Sequence, residues 1–228
     1  MKVLIACEES QTICKAFREL GHEAYSNDIV KCSGGYPKWH ILEDSRAVIN
    51  GGVVKLQTGD WLEIDKWDLI IAHPPCTYLT NAATHSHSLK CNPVNRINAR
   101  TLNRIEAMRF FMDIVNADCE HIAIENPIGV MNTAYRKPDQ IIHPYYFAEG
   151  VDDKENYWTK ATCLWLKNLK PLEYEEPKPY QNKLGIKPGG KTLTWAEKNH
   201  GSTERSKTFP GIAKAIAEQW GGKEEMKK

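Results

Sequence analysis

The apolar positions of this chain change period from segment to segment, and the changes mark its elements. Residues 3–7, VLIAC, are an unbroken apolar run, the pattern of a strand covered on both faces. Ile13, Phe17 and Leu20 recur at i, i+4 and i+7, which predicts a helix. Ser10 stands where its cap belongs and Gly21 where it must stop. EAYSNDI (23–29) is the expected second strand, ending at Asp28, and residues 31–52 read as loop with a short helix. VVKLQ (53–57) is the expected third strand, closed by Gly59 and Asp60, and WDLIIAH (67–73) is the clearest strand after the first. Next come a helix with Ile105, Met108, Met112 and Val115 on one face, the strand HIAIEN (121–126), and a further strand at CLWL (163–166). The Pro-, Lys- and Glu-rich residues 170–190 read as exposed loop or linker. A last helix opens at Pro210, buries Ile212 and Ile216, and ends at Gly221 and Gly222. The strand–helix–strand opening predicts an α/β protein with a doubly wound, mostly parallel sheet. It is read as a single domain over 1–222, loop-rich at about 128–204, with a frayed tail at 223–228.

Composition narrows the class. The 228 residues are 41% hydrophobic and 26% charged, as in ordinary globular proteins. No apolar run reaches the roughly eighteen residues of a membrane span. MKVLIACEES runs straight into acids and reads as a strand rather than an export signal. Seven cysteines, an odd number with no CxxC pair, argue against a disulfide scaffold or a zinc ribbon and for a reducing cytoplasm. A net charge of +1 is not that of a general polyanion binder, so contact with nucleic acid requires a local basic patch.

Ligands of an open α/β sheet bind beyond the carboxyl ends of its strands. There the chain places Ala6, Cys7, Glu8 and Glu9; then His73, Pro74, Pro75 and Cys76; then Glu125, Asn126 and Pro127. Asp28 lies where an acid often takes ribose hydroxyls, although strand-end acids are as often only capping groups. Arg96, Arg100 and Arg104 share one face of a helix and suit phosphates, or simply form a solvated face. His85, His87 and Cys91 are zinc-ligand types without an evident fourth ligand, so a solvated loop is the better reading. Trp158, Trp165 and Trp195, with Tyr145, Tyr146 and Tyr157, are of types that stack on bases or, more commonly, fill cores.

Two segments carry a family resemblance. DLIIAHPPCTYLTNAA resembles the stretch of DNA cytosine-C5 methyltransferases that presents the catalytic cysteine after a proline, and IAIENP resembles their Glu-Asn-Val stretch. RSKTFPGIAKAIAEQW (205–220) is similar to their final motif, and the whole chain resembles the short members of that family found in phages and prophages. The resemblance implies a class I methyltransferase-like, Rossmann-like fold and S-adenosyl-L-methionine as cofactor. It places the cofactor on Ala6, Cys7, Glu8, Ser10, Asp28, Ile29, Gly59 and Asp60. It makes Cys76, presented by Pro75, the nucleophile toward C6 of cytosine, and Glu125, beside Asn126, the acid at N3. Arg96, Arg100, Arg104 and Arg205 then face phosphates, in the cytoplasm of a bacterium or infected host. The chain departs from the family in having no glycine over residues 6–11, Glu-Asn-Pro in place of Glu-Asn-Val, and no Gln-x-Arg-x-Arg segment. About 80 residues separate Glu125 from Arg205, too few for a full target-recognition domain. His73-Pro74-Pro75-Cys76 also half-resembles the Asn-Pro-Pro-Tyr of amino methyltransferases, but histidine and cysteine suit that chemistry poorly.

Three functions stay open on this reading. The first is C5 methylation of cytosine in DNA, with the base flipped from the stack. The second is the same chemistry on a free pyrimidine nucleotide, which the near-neutral charge and missing recognition domain favour. The third is a non-catalytic nucleotide- or ligand-binding protein on the same scaffold, which the missing glycines favour.

Overall fold

A computed structural model describes residues 1–82, 86, 88–175, 195, 201 and 206–222. The first apolar run is strand β1 (Lys2–Ala6), and its residues 3–6 are wholly buried because both faces of the strand are covered. Val3 and Ile5 pack with α1 (Thr12–Glu19) and α5 (Pro210–Trp220). Leu4 and Ala6 pack on the opposite side with Phe111 and Ile114 of α3 (Val94–Val115) and Val48 of α2 (Ser45–Val48). This alternation places helices on both faces of the sheet.

β1 pairs in parallel with β2 (Glu23–Asp28) and with β6 (Leu69–Ala72). β3 (His40–Leu42) extends one side, and β7 (His121–Pro127) the other, both in parallel. β9 (Thr162–Lys167) then pairs antiparallel with β7, and β8 (Gln140–Ile142) with β9. The order is β3-β2-β1-β6-β7-β9-β8. The chain reverses direction across the sheet at the β1/β6 junction, where such sheets bind ligands at their carboxyl edge.

Several expectations are corrected. VVKLQ does not form the third strand of the sheet: β4 (Gly52–Lys55) and β5 (Trp61–Ile64) make a separate antiparallel hairpin. The third strand is β3, hidden in the presumed loop because it opens on a polar residue. His40 is buried with its ring nitrogens on Ser26 Oγ (2.9 Å) and Val30 O (2.9 Å). Ser10 does not cap α1; Glu8 does, taking the amides of Ile13 and Cys14. Gly21 ends the helix as expected, at φ 82°, with its amide on Arg18 O and that of His22 on Phe17 O. In α3 Met108, Met112 and Val115 pack against the core as expected, but the deeply buried residues are Phe111 and Ile114, and Ile105 is 41% exposed. The helix is 22 residues long, and its buried positions lie near its C-terminal end. CLWL lies inside β9, and β8 carries no pattern visible in the sequence. Trp158 and Trp165 are buried core residues. No helix among the described residues is long and apolar enough to cross a membrane.

The packing of α3 separates two substitutions. Phe111→Ala should cost about 3–5 kcal/mol, and Ile105→Ala less than about 0.5 kcal/mol, measured by urea unfolding. Equal costs would contradict this placement of the helix.

Candidate active site

The pairing of β6 with β7 sets Ala72 opposite Ile124, so the two chains leave the sheet side by side. His73 Nδ1 lies 3.1 Å from Glu125 Oε2. Asn126, buried, donates from Nδ2 to Pro74 O at 2.7 Å. Cys76 is exposed one residue past Pro75, and its carbonyl accepts from the amides of Leu79 and Thr80 to start a tight turn. That turn is tied to the segment after Asn126: Val130 N donates to Leu79 O at 2.8 Å, and Thr80 bridges Gly129. A Cβ on Gly129 would meet Leu79 O at 2.1 Å, so only glycine permits this approach. The segments of Cys76 and Glu125, 49 positions apart in sequence, are thereby held at one sheet edge.

Two of the arginines expected on phosphates have other partners. Arg100 donates to Thr77 O (3.1 Å) with its guanidinium over the Tyr78 ring, and Arg104 donates to Tyr78 O (2.9 Å). Burial and the charge of Arg100 push the Arg104 guanidinium down. These side chains brace the turn behind Cys76 and set positive charge beside it. Arg96 is exposed on the same helix, and Arg205 lies outside the described residues.

A small cleft opens beside Glu125, lined by His73, Lys160, Thr162, Leu164, Thr208, Phe209, Ile212 and Ile216. Burial pushes the Glu125 carboxyl up, but the hydrogen bond from His73 and the charge of Lys160 outweigh it, so it is held below the usual carboxylate range. The His73 side chain is 10% exposed and that of Glu125 21%. Sequence reasoning singled out Glu125 but not Lys160, Thr162, Thr208 or Phe209. They reach the cleft only because β9 inserts antiparallel beside β7, setting Thr162 opposite Pro127, and because α5 packs below.

The β1–α1 turn contains no glycine, yet Cys7 and Gln11 both take φ 60°. Such left-handed turns ordinarily use glycine, and other residues adopt them at a cost when the surroundings enforce them. Here Gln11 is clamped: its side chain accepts from Tyr36 N and donates to Tyr36 O and to Ser26 Oγ. The Cys7 thiol sits 3.3 Å from Ser45 Oγ, and burial pushes it up to about 12. Ala6 is wholly buried, and Ser10 Oγ is 3.1 Å from Thr12 Oγ1. Gly34 packs against Ser10 O and Gln11, so the segment after β2 lies over this turn. Both Glu8 oxygens serve α1, from Ile13 N at 2.6 Å and Cys14 N at 3.2 Å, which leaves them committed to the helix. Burial pushes the Glu8 carboxyl up against the opposing effects of His73 and those two amides.

Asp28 ends β2, accepts from Val30 N at 3.2 Å, and is pushed up by burial. The adjacent Ile29 is 72% exposed, an apolar side chain standing in the open at the carboxyl edge. Gly59 (φ 99°) and Asp60 form the tip of the β4–β5 hairpin, with Thr58 Oγ1 on Asp60 Oδ2 at 2.7 Å. His85 and His87 lie outside the described residues, and no metal-ligating cluster exists among the described ones.

Glu8 generates a stability prediction. Its folded pKa lies above its unfolded value, so the folded state binds the proton more tightly. The parent therefore loses stability as pH rises from the ordinary glutamate range through the raised value. Glu8→Gln keeps a carbonyl acceptor for α1 but cannot ionise, so its stability relative to the parent should rise as pH climbs from the ordinary glutamate range, about 4, through the raised value. Glu8→Ala should cost about 1–2 kcal/mol through the lost cap. Urea unfolding across that range checks both, and a parent–Gln difference independent of pH would refute the assignment. Comparison of the chain with known family models and with curated proteins gives no match.

Proposed function

We propose that this protein is an S-adenosyl-L-methionine-dependent methyltransferase acting at C5 of cytosine in DNA, with Cys76 as nucleophile. The observation that carries the reading is the pair of contacts joining the two segments, His73 to Glu125 and Asn126 to Pro74. They hold an exposed thiol and a carboxylate at the sheet edge, the two groups a pyrimidine ring must meet together. The sheet supports it as well. Counting only its own strands it runs 3-2-1-4-5-7-6 with one antiparallel strand inserted, the arrangement of the class I methyltransferases that the motifs resemble. A free pyrimidine nucleotide is the alternative substrate, favoured by the net charge of +1.

The carboxyl edge fits a nucleoside-bearing methyl donor. Asp28 offers a carboxylate to ribose hydroxyls and Ile29 an exposed apolar face to a flat ring. The left-handed Cys7 and Gln11 give the β1–α1 turn the path that glycines would otherwise provide. Within residues 6–10, both Glu8 oxygens are engaged with α1, which leaves Glu9, Ser10 and the backbone to hold the donor. The bound donor supplies an electrophilic methyl group.

The chain's own residues would then act as follows. The Cys76 thiolate would add to C6, and the C5–C6 π electrons would move toward N3. N3 takes a proton from solvent to leave a neutral enamine, and Glu125 accepts from the N4 amine. Because Glu125 is held ionised, it begins as an acceptor and not as an acid. Once C5 has gained the methyl group and the demethylated donor has left as a thioether, the ring would carry a positive charge that Glu125 offsets; C5 would then lose its proton to solvent as the C6–sulfur bond breaks to release the thiolate, and N3 would return its proton.

Incubation with DNA bearing 5-fluorocytosine tests this, since fluorine cannot leave as a proton does. The parent should form a covalent adduct detectable by mass spectrometry, and Cys76→Ser should form none, an alkoxide being far harder to generate than a thiolate. Glu125→Gln should slow the reaction about 10²–10⁴-fold. An adduct with fluorinated nucleotide but not DNA would shift the substrate assignment. Methyl transfer persisting in Cys76→Ser would overturn the C5 mechanism, and absence of cofactor binding in the parent would favour a non-catalytic role.

A further inference from the structure

Among the described residues, the His73 side chain has one hydrogen-bond contact, and it is to Glu125. Its Nδ1 lies 3.1 Å from Glu125 Oε2, while its Nε2 is buried with no hydrogen-bond partner among the described residues. A proton on Nε2 would be an orphaned donor, whereas a proton on Nδ1 has an acceptor at hydrogen-bond distance. The network therefore assigns the ring proton to Nδ1, which donates to Glu125. The backbone permits little else: His73 N is bonded to Ala6 O at 2.9 Å, and the ring is nine-tenths buried. The charged groups around the ring are Glu125 on β7, Glu8 in the β1–α1 turn, and Lys160 on the approach to β9.

We propose that His73 is a positioning residue which, by donating to one oxygen of Glu125, fixes the other as an acceptor in the cleft and so selects an amino-pyrimidine over a keto-pyrimidine. The inference rests on the C5 reading above. An acceptor oxygen receives the N4–H of cytosine. The same oxygen meets the O4 of uracil or thymine lone pair to lone pair, which is repulsive and leaves both groups unpaired. A neutral, protonated Glu125 would lose this discrimination, because its hydroxyl could donate to O4. Burial pushes Glu125 toward that neutral form, and the His73 contact is the foremost of the influences opposing it. Lys160 contributes from the other wall of the cleft.

Two readouts in the full-length protein test this. The first follows the Glu125 carboxyl carbon by carbon-13 NMR across pH, assigned with Glu125→Gln, and needs no ligand or activity. Its midpoint should lie below the usual glutamate value in the parent and rise in His73→Leu. It should return toward the parent in His73→Asn, whose amide can still donate from near the Nδ1 position. The second compares covalent trapping by DNA carrying 5-fluorocytosine with trapping by DNA carrying 5-fluorouracil. The parent should prefer fluorocytosine, His73→Leu should lose about tenfold or more of that preference, and His73→Asn should retain most of it. A Glu125 midpoint unmoved in His73→Leu, or an unchanged preference, overturns the proposal. So does a His73→Asn protein that is folded, by near-ultraviolet circular dichroism, yet behaves like His73→Leu. A parent that forms no adduct with either base overturns the C5 reading and the base preference built on it. The titration then still decides whether His73 governs Glu125.

Discussion

The candidate site depends on one buried hydrogen bond, from the Asn126 side chain to the Pro74 carbonyl. Beyond Ala72 the chain enters two prolines, which have no amide hydrogen to continue the ladder with β7. Without another tie, the segment carrying Cys76 would leave the sheet unguided. Asn126 supplies that tie from the neighbouring strand, and Gly129 lets the turn after Cys76 close against the chain beyond β7. Arg100 and Arg104 complete the support from α3. A thiol at the tip of an exposed loop is thus backed on two sides by side chains whose polar groups are used in holding it.

A buried glutamate and a half-buried one at the same edge show how partners decide the outcome of burial. Desolvation favours the neutral form of both. Glu8 receives two backbone amides and lies near His73, yet burial prevails and its carboxyl is pushed up. Glu125 receives the His73 ring directly and lies nearer the charge of Lys160, and its carboxyl is held down. One histidine stands between them and couples the turn after β1 to the end of β7. The first acid serves the fold, capping α1 where glycines and a ligand would be expected, and the second remains open to the cleft.

The β1–α1 turn illustrates a way of keeping a backbone path without the residue type that makes it easy. Cys7 and Gln11 occupy left-handed conformations, and the strain is held by Gln11's clamp on Tyr36 and by the contact of Cys7 with Ser45. A motif search that counts glycines passes over such a turn, because the information lies in φ and in the clamp.

Local patterns determined much of this protein. The unbroken apolar runs of β1 and β6 specify doubly covered strands, Gly21 specifies the end of α1, and Pro210 the start of α5, since each depends on neighbours within a few residues. The Pro75-Cys76 and Glu125-Asn126 pairs were legible for the same reason. Tertiary structure decided what those patterns could not carry. β3 was hidden because the partners of His40 come from β2 and the segment after it, and the hairpin of β4 and β5 imitated a sheet strand because alternation does not specify a pairing partner. The periodicity of α3 marked the face of Met108, Met112 and Val115, but not that Phe111 and Ile114 would lie deepest or that Ile105 would stay exposed. Glu8 became a cap and Arg100 and Arg104 became braces because acceptors and donors distant in sequence came within reach. Lys160, Thr162 and Phe209 joined Glu125 at the cleft only through the antiparallel insertion of β9 and the packing of α5. Residue type fixes which bonds a side chain can make, and only the folded chain determines which of them it makes.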